Sequence, residues 1–233
     1  SPVPPTKPPA TATIPFKREG FTYNASRLNT APTIDGDWSE WKDVAREYPA
    51  QRVVYGGANW EEEDDLAGSF YVGWDNQYLY LAVKVRDDQY VQLASGENIY
   101  KGDSVELLLD TDVTSDYYVQ ALNNDDYQIG IAPGEPTIAD GNSQVYLWFP
   151  AAEKGSLPEV KVGARDEGDV WRVEAAIPWS IFGITPKSGM HLGFVLSVSD
   201  NDKAGDQVQQ SMVSTAPQRN LVDPTSWGDL LLK

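Results

Sequence analysis

The sequence has no cysteine and a single histidine, His191. The first absence excludes disulfides, zinc–thiolate centres and a cysteine nucleophile. The second excludes histidine-rich metal sites, and any Ser-His-Asp triad would have to run through His191, which no nucleophile motif accompanies. Basic side chains are scarce: 18 Lys and Arg stand against 35 Asp and Glu, a net charge of −17 over 233 residues. Phosphate backbones and anionic lipids repel such a chain, so nucleic-acid and membrane-surface partners are not expected, whereas cations are attracted. No apolar run approaches the roughly 18 residues that a spanning helix needs, so membrane insertion is not expected. No secretory leader is read in the opening Ser1-Pro2-Val3-Pro4-Pro5. P-loop and dinucleotide fingerprints are missing as well.

What the chain does have is a core's worth of apolar residues, 41%, and an aromatic set biased toward rings with a polar handle: 8 Trp and 12 Tyr against 6 Phe. Such rings suit surfaces that are apolar on one part and wet on another. A sugar, with an apolar C–H face and hydroxyl edges, is a ligand of that kind; a β-rich core that uses Trp and Tyr for packing is the plainer explanation.

Residues 1–15 form a Pro/Thr/Ala tract without core-forming pattern and read as an extended, semi-rigid linker of the kind that tethers modules of secreted or cell-surface proteins. The folded chain is expected over 16–233, as one domain. Within it, β-rich runs alternate with turn residues: Ser69–Trp74, Tyr78–Val85, Ser104–Asp110, Gln144–Phe149, Val170–Ile177, Leu192–Val198 and Asp229–Leu232. The first two, joined by Asp75-Asn76-Gln77, make a hairpin. Helical periodicity is weak, with one short helix expected over Asp37–Ala45 and a turn over Pro178–Phe182. Many short strands with turn chemistry between them predict an all-β chain, a two-sheet antiparallel β-sandwich of immunoglobulin-like or jelly-roll-like type with at most short helices.

Five motifs in order point further. They are Ile34-Asp35-Gly36 with Trp41; Trp74-Asp75-Asn76-Gln77-Tyr78-Leu79-Tyr80 running to Val85-Arg86-Asp87-Asp88; Gly102-Asp103-Ser104-Val105-Glu106-Leu107-Leu108-Leu109-Asp110; Val173-Glu174-Ala175-Ala176-Ile177-Pro178-Trp179; and Asp223-Pro224 with Trp227-Gly228-Asp229-Leu230. From about Asn29 to Leu232 the chain resembles the family 9 carbohydrate-binding modules and their wider superfamily. The resemblance implies a β-sandwich with bound calcium and a non-catalytic role as an appendage of a xylanase or other polysaccharide hydrolase. It also implies a site in which two tryptophans sandwich the reducing end of a glycan while polar side chains read its hydroxyls.

Carried over position by position, the first sandwiching tryptophan falls on Tyr100 and the strand glutamate on Glu106, a carboxylate able to accept two hydroxyl hydrogen bonds. The second tryptophan falls on Leu221, which cannot stack in the same way. The family's arginine falls near Ile129, so a charged donor is not expected; Asn220 offers an amide nearby. Trp41, Trp74, Trp171, Trp179 and Trp227 occupy packing positions. Trp38, Trp60 and Trp148 fall outside the pattern. Trp60 sits in a polar loop, and Trp148 in a segment, Pro133 to Pro158, that reads as an insertion. Either of the latter two is expected to join Tyr100 as a replacement stacking platform.

Calcium takes six to eight oxygen ligands. The carboxylate clusters that offer them are Asp200, Asp202 and Asp206; Asp110 and Asp112 with Asp116; Asn123 to Asp126; and Glu61 to Asp65. The first two are the expected metal positions, and the resemblance points to calcium as a structural ion. A glycosidase would need two carboxylates facing each other across a cleft. Asp103 and Glu106 lie three positions apart on one strand and point to opposite faces, Glu174 reads as a buried paired carboxylate, and His191 as a surface residue, so no catalysis is expected. Asn24-Ala25-Ser26 matches a glycosylation acceptor. The reading is a calcium-stabilised, non-catalytic module of a larger extracellular polysaccharide-acting protein, with poly- or oligosaccharide and other modules of the same polypeptide as partners. The alternative is a ligand-free structural or sensor ectodomain on the same scaffold.

Overall fold

Apolar runs, some continuous and some alternating with polar side chains, build the main strands of this chain. The structure is a computed structural model and describes residues 21–135 and 137–233. The expected linker, 1–15, and the start of the folded chain at 16–20 lie outside the described residues.

Fourteen strands follow in order: β1 (Thr22–Arg27), β2 (Tyr48–Ala50), β3 (Arg52–Tyr55), β4 (Leu66–Trp74), β5 (Tyr78–Asp87), β6 (Ser104–Asp110), β7 (Asp126–Ala132), β8 (Gln144–Phe149), β9 (Gly155–Ser156), β10 (Lys161–Asp166), β11 (Val170–Pro178), β12 (His191–Asp200), β13 (Ser211–Ser214) and β14 (Gly228–Leu232). One α-helical turn, α1 (Val113–Asp116), and four short 3-10 turns, among them Gly96–Lys101, complete the described residues. The strands run β10-β11-β5-β4-β1-β14-β12-β6-β7-β8-β9; β13 pairs with β12 and carries β3 on its far side, and β2 pairs with β4.

The nearly all-β expectation holds, but the sheet is mixed rather than wholly antiparallel. Thr22–Ala25 of β1 run parallel to β14, and Ser26–Arg27 run parallel to β4. This one strand hydrogen-bonds to both halves of the ladder, which curls so that the halves face each other. Val105, Leu107 and Leu109 of β6 and Phe194, Leu196 and Val198 of β12 meet Phe70, Val72, Leu81, Val83, Trp171 and Val173 from the other half in one main core. Burial of these side chains, at about 25 cal/mol per Å² of apolar surface, is the principal stabilising contribution.

The tryptophans at packing positions are buried: Trp41, Trp74, Trp171, Trp179 and Trp227 are all within 2% of full burial. Each indole N–H has an acceptor, as a buried donor requires: Glu174 Oε1 at 2.6 Å for Trp41, Lys233 O at 3.1 Å for Trp74, Asp87 Oδ2 at 2.7 Å for Trp171, Asp75 O at 3.0 Å for Trp179 and Asn220 O at 2.8 Å for Trp227.

Two expectations are corrected. Asp37–Ala45 forms turns and no helix. Asp35 Oδ1 and Asp37 Oδ1 accept from the amides of Asp37 and Ser39, local bonds that compete with helical ones. His191 is not a surface residue: its side chain is 11% exposed and its Nε2 lies 2.6 Å from Asp229 Oδ1 on the neighbouring strand β14. The segment from Pro133 to Pro158 contributes β8 and β9 to the sheet, β8 pairing with β7 and β9 with β8.

Candidate functional site

On β6 the side chains alternate. Val105, Leu107 and Leu109 enter the core, so Ser104, Glu106 and Leu108 project to the opposite, outer face. The same face of β7 carries Gln128 and Gly130, registered against Leu108 and Glu106. It continues over Ser197 and Ser199 of β12 to Met212 and Ser214 of β13. A cleft of about 330 Å³ opens on it, lined by Tyr100, Glu106, Leu108, Gln128, Trp148, Gln209, Met212, Arg219 and Leu221.

Tyr100 stands on the 3-10 turn Gly96–Lys101, and this turn is held from beneath. Buried Gln92 donates to Ile99 O at 2.9 Å and Asp103 O at 3.1 Å and accepts from Ala94 N at 2.8 Å. Gly102 makes room for that amide, because a Cβ there would lie 2.4 Å from Gln92 Oε1. Trp148 is fixed to the same turn: its Nε1 donates to Glu97 O at 2.9 Å. Its indole lies over Gly130, where a Cβ would come within 2.3 Å of Cη2. Tyr100 and Trp148 meet edge to face with centroids 6.2 Å apart. Both are half-buried, so part of each ring faces the cleft.

Arg219 donates to Glu106 Oε2 in a nearly buried ion pair, and Ser199 Oγ lies 3.4 Å from Oε1. Gln209 Nε2 donates to Ser199 Oγ at 2.8 Å, and Gln128 Nε2 to Leu221 O. Burial pushes the Glu106 carboxyl above its ordinary value, with Arg219 and Ser199 pulling the other way. The cleft therefore combines aromatic faces with a carboxylate, a guanidinium and two carboxamides, donors and acceptors of the kind that read hydroxyl groups. In a larger recess of about 550 Å³ the rings of Tyr23 and Tyr48 are buried in the main core and Phe21 is the exposed aromatic in its lining.

Tyr100, Glu106 and Trp148 are thus brought together. Trp60 is not: it packs partly buried against the main core, with its Nε1 on Leu66 O at 3.0 Å. Its loop is polar, but its indole packs onto the core. Asn220 does not line the cleft; its Oδ1 accepts from Val222 N at 3.1 Å in a local turn. The charged donor not expected on the middle strand is supplied by Arg219, next to Asn220, and the strand position near Ile129 is core. Leu221 lines the cleft as an apolar wall. Gln128, Gln209 and Met212 carried no signal in the sequence, because their strands were not recognised or their loop was not placed.

The acidic residues converge at two places. Carboxylate oxygens of Asp87, Asp200 and Asp202 lie within 4.8 Å of one another, as do those of Asp65, Asp88 and Asp202. At the far end of β6 the same holds for Asp110, Asp116 and Asp125. Among the described residues, Asp200 Oδ1, Asp202 Oδ1, Asp116 Oδ1 and Asp126 Oδ1 are buried without a hydrogen-bond partner. Burial, with repulsion from neighbouring carboxylates, pushes Asp200 up to about 8, Asp126 to about 7 and Asp87 and Asp202 to about 6. Of the expected metal positions, Asp200, Asp202 and Asp110 belong to these groups. Asp206 and Asp112 do not: Asp206 is exposed, and Asp112 accepts from Thr114 Oγ1 and Ser115 Oγ at the start of α1.

Residues 33–233 match the family described as carbohydrate family 9 binding domain-like. The endo-1,4-beta-xylanase A of Thermotoga maritima is 27% identical over 218 residues, 93% of this chain and 18% of that protein. Exoglucanase XynX of Acetivibrio thermocellus is 26% identical over 208 residues, 89% of this chain and 17% of that protein. The chain therefore spans less than a fifth of the length of these relatives. Two structures of a family 9 carbohydrate-binding module from Caldicellulosiruptor kristjanssonii, in complex with cellotriose and with glucose, share the fold. Their TM-scores are 0.67 and 0.68 at 18% and 19% identity, covering 91% of this chain and 93% and 95% of theirs. The match is to a binding domain and not to a catalytic one. It takes in all five sequence motifs and the whole of the cleft, and the chain belongs to the carbohydrate family 9 binding domain-like family.

Proposed function

We propose that this chain is a non-catalytic carbohydrate-binding module that holds an oligosaccharide in the cleft between Tyr100, Trp148 and Glu106. The observation that carries the reading is the convergence of two half-buried aromatic rings with Glu106, Arg219, Gln128 and Gln209 on one face. A pyranose C–H face would rest on the exposed part of the Trp148 and Tyr100 rings. Its hydroxyls would donate to Glu106 and exchange hydrogen bonds with the two carboxamides. Structural neighbours bind cellotriose and glucose, and relatives of greater length are xylanases and an exoglucanase. Glucans and xylans are accordingly the ligand class to test, and a place beside the catalytic domains of an extracellular polysaccharide-acting protein is the role this supports.

A divalent cation fits the two acidic sites. Their orphaned buried carboxylate oxygens have the charge and the hard oxygen chemistry that calcium takes. Asp87, Asp200 and Asp202, with Asp65 and Asp88, would hold one ion, and Asp110, Asp116, Asp125 and Asp126 another. The ion would supply neutralisation of buried charge, and these residues would tie the ends of β5, β6, β7 and β12 together.

The test is titration of the chain with gluco- and xylo-oligosaccharides, followed by tryptophan fluorescence and calorimetry with and without calcium. Saturable binding that Trp148→Ala removes supports the reading. Absence of binding by folded protein across the panel rejects it and leaves the structural or sensor role.

A further inference from the structure

The recess of about 550 Å³ beside Tyr23 and Tyr48 shares no lining residue with the cleft. Arg46 and Arg52 both line it, and both are exposed. The other arginines of the described residues are engaged. Arg86, Arg165, Arg172 and Arg219 each pair with a carboxylate, and Arg27 donates to Asn76 Oδ1 at 3.2 Å. Among the described residues, neither Arg46 nor Arg52 has a carboxylate at ion-pair distance, although Glu63 lines the same recess. In a chain of net charge −17, the two guanidiniums without an acidic partner thus face one concavity.

Both are held there. The Arg46 guanidinium lies over the Tyr48 ring, 5.2 Å from its centroid. That ring is fixed in turn, since its hydroxyl accepts from Asn24 N at 3.0 Å and it meets Tyr23 edge to face at 5.0 Å. Burial pushes the Tyr23 hydroxyl up to about 12, and the Arg52 charge pulls the other way. Arg52 therefore stands close enough to the recess floor for its charge to be felt on that hydroxyl. Phe21 completes the lining with a ring that is 51% exposed, on a backbone pinned to β14 by its carbonyl, which accepts from Asp229 N at 3.0 Å.

A guanidinium matches a carboxylate through two parallel hydrogen bonds, and a half-exposed ring offers an apolar face. A sugar that carries a carboxylate presents the partner of each: an anionic group and a C–H face. The net charge of the chain repels polyanions at large, so recognition of such a sugar depends on this local pair of cations. Taking only the ligand class from the glycan reading of the cleft, we propose that the recess is a second glycan site, selective for a uronate residue whose carboxylate meets Arg46 and Arg52 and whose ring lies against Phe21.

Calorimetry on the whole chain tests this with a xylo-oligosaccharide bearing a glucuronate branch, and with the same ligand after reduction of its carboxyl to a primary alcohol. In a Trp148→Ala background, which removes the contribution of the cleft, the glucuronate ligand still binds and the reduced one does not. Arg46→Gln and Arg52→Gln each weaken that binding roughly tenfold or more. Free glucuronate competes and glucose does not. Both arginines are exposed, so the melting temperature serves as a control for folding. Equal affinity for the carboxylated and reduced ligands, no loss in either arginine variant, or displacement by acetate or a glutamate-rich peptide as effective as that by glucuronate overturns the proposal. Binding of neutral oligosaccharides that Trp148→Ala does not weaken overturns the cleft instead, an outcome distinct from silent arginine variants.

Discussion

The guanidinium of Arg219 donates to the carboxylate of Glu106, joining the loop before the last strand to the floor of β6. Both side chains are nearly buried, 9% and 8% exposed. Breaking such a pair from one side strands the other charge away from water, whereas removing both does not. Arg219→Ala is therefore expected to lower stability by about 3 kcal/mol. The double change Glu106→Leu with Arg219→Met recovers most of that loss. Urea midpoints for the single and double variants decide it, and an unaltered midpoint in Arg219→Ala would show that the pair is not structural.

The same pair makes binding and stability respond oppositely to pH. Burial raises the Glu106 pKa above its ordinary 4.5. The folded chain then holds this proton more tightly than the unfolded chain, so the group's contribution to stability is full below 4.5 and is lost as pH rises through the raised value. Hydroxyl recognition wants the carboxylate, so glycan affinity rises over that interval. Glu106→Gln flattens both trends when its melting temperatures and affinities are compared with the parent across a pH series. Affinity that increases on acidification would contradict the assigned role.

How much of this was legible in the sequence depended on periodicity. β6, β8 and β11 announce themselves by continuous or alternating apolar runs, and with them Glu106 and Trp148. β7, Asp126–Ala132, does not: a glycine and two polar residues dilute it, yet it lies mid-sheet and brings Gln128 and Gly130 to the cleft. Arg219 and Gln209 sit outside strands, and no local pattern reports that their loops fold back over β6. The acidic clusters were legible by chain neighbourhood alone. Asp87 and Asp200 are far apart in sequence and meet only because the strands that end in them do, while Asp206 and Asp112 are close in sequence to their clusters and take no part.

Gly130 gives a second handle on the cleft. An alanine Cβ there would lie 2.3 Å from Trp148 Cη2 and 2.8 Å from Ile99 Cδ1. The indole has to leave its seat over β7, and Gly130→Ala is expected to weaken glycan binding about tenfold while overpacking costs about 1–3 kcal/mol of stability. In a Trp148→Ala background the same substitution should cost less, since the indole is gone and only Ile99 Cδ1 still crowds the Cβ. A double-mutant cycle measures this coupling directly. Additive losses would mean that Gly130 acts by some route other than the indole.

Glu174 organises the opposite half of the sheet. It is fully buried and accepts from Trp41 Nε1 at 2.6 Å, Gly36 N at 2.8 Å and Asp35 N at 3.0 Å. Glutamine offers one acceptor oxygen and turns an NH₂ toward a donor, so Glu174→Gln leaves at least one buried N–H unmatched. The expected loss is about 1–3 kcal/mol, read by chemical denaturation, with glycan affinity unaffected because the site is remote from the cleft. Full stability in the variant would mean that the turn at Asp35-Gly36 does not depend on this carboxylate.

The acidic site at the end of β5 and β12 sets the last expectation. Asp200 is 1% exposed, its Oδ1 has no partner among the described residues, and burial with repulsion from Asp202 raises its pKa to about 8. A chain carrying that much like charge in one place is destabilised until a cation occupies it. Calcium at about 100 times its Kd should then add about 2.7 kcal/mol per site, and chelator should remove it. Asp200→Asn separates this from a non-specific salt effect. With chelator present the variant melts at a higher temperature than the parent, because folding no longer has to protonate or bury that carboxylate. With calcium present it gains less than the parent does, because a ligand is gone. A parent melting temperature that chelator leaves unchanged, or a variant that gains as much from calcium as the parent, would remove Asp200 as a metal ligand.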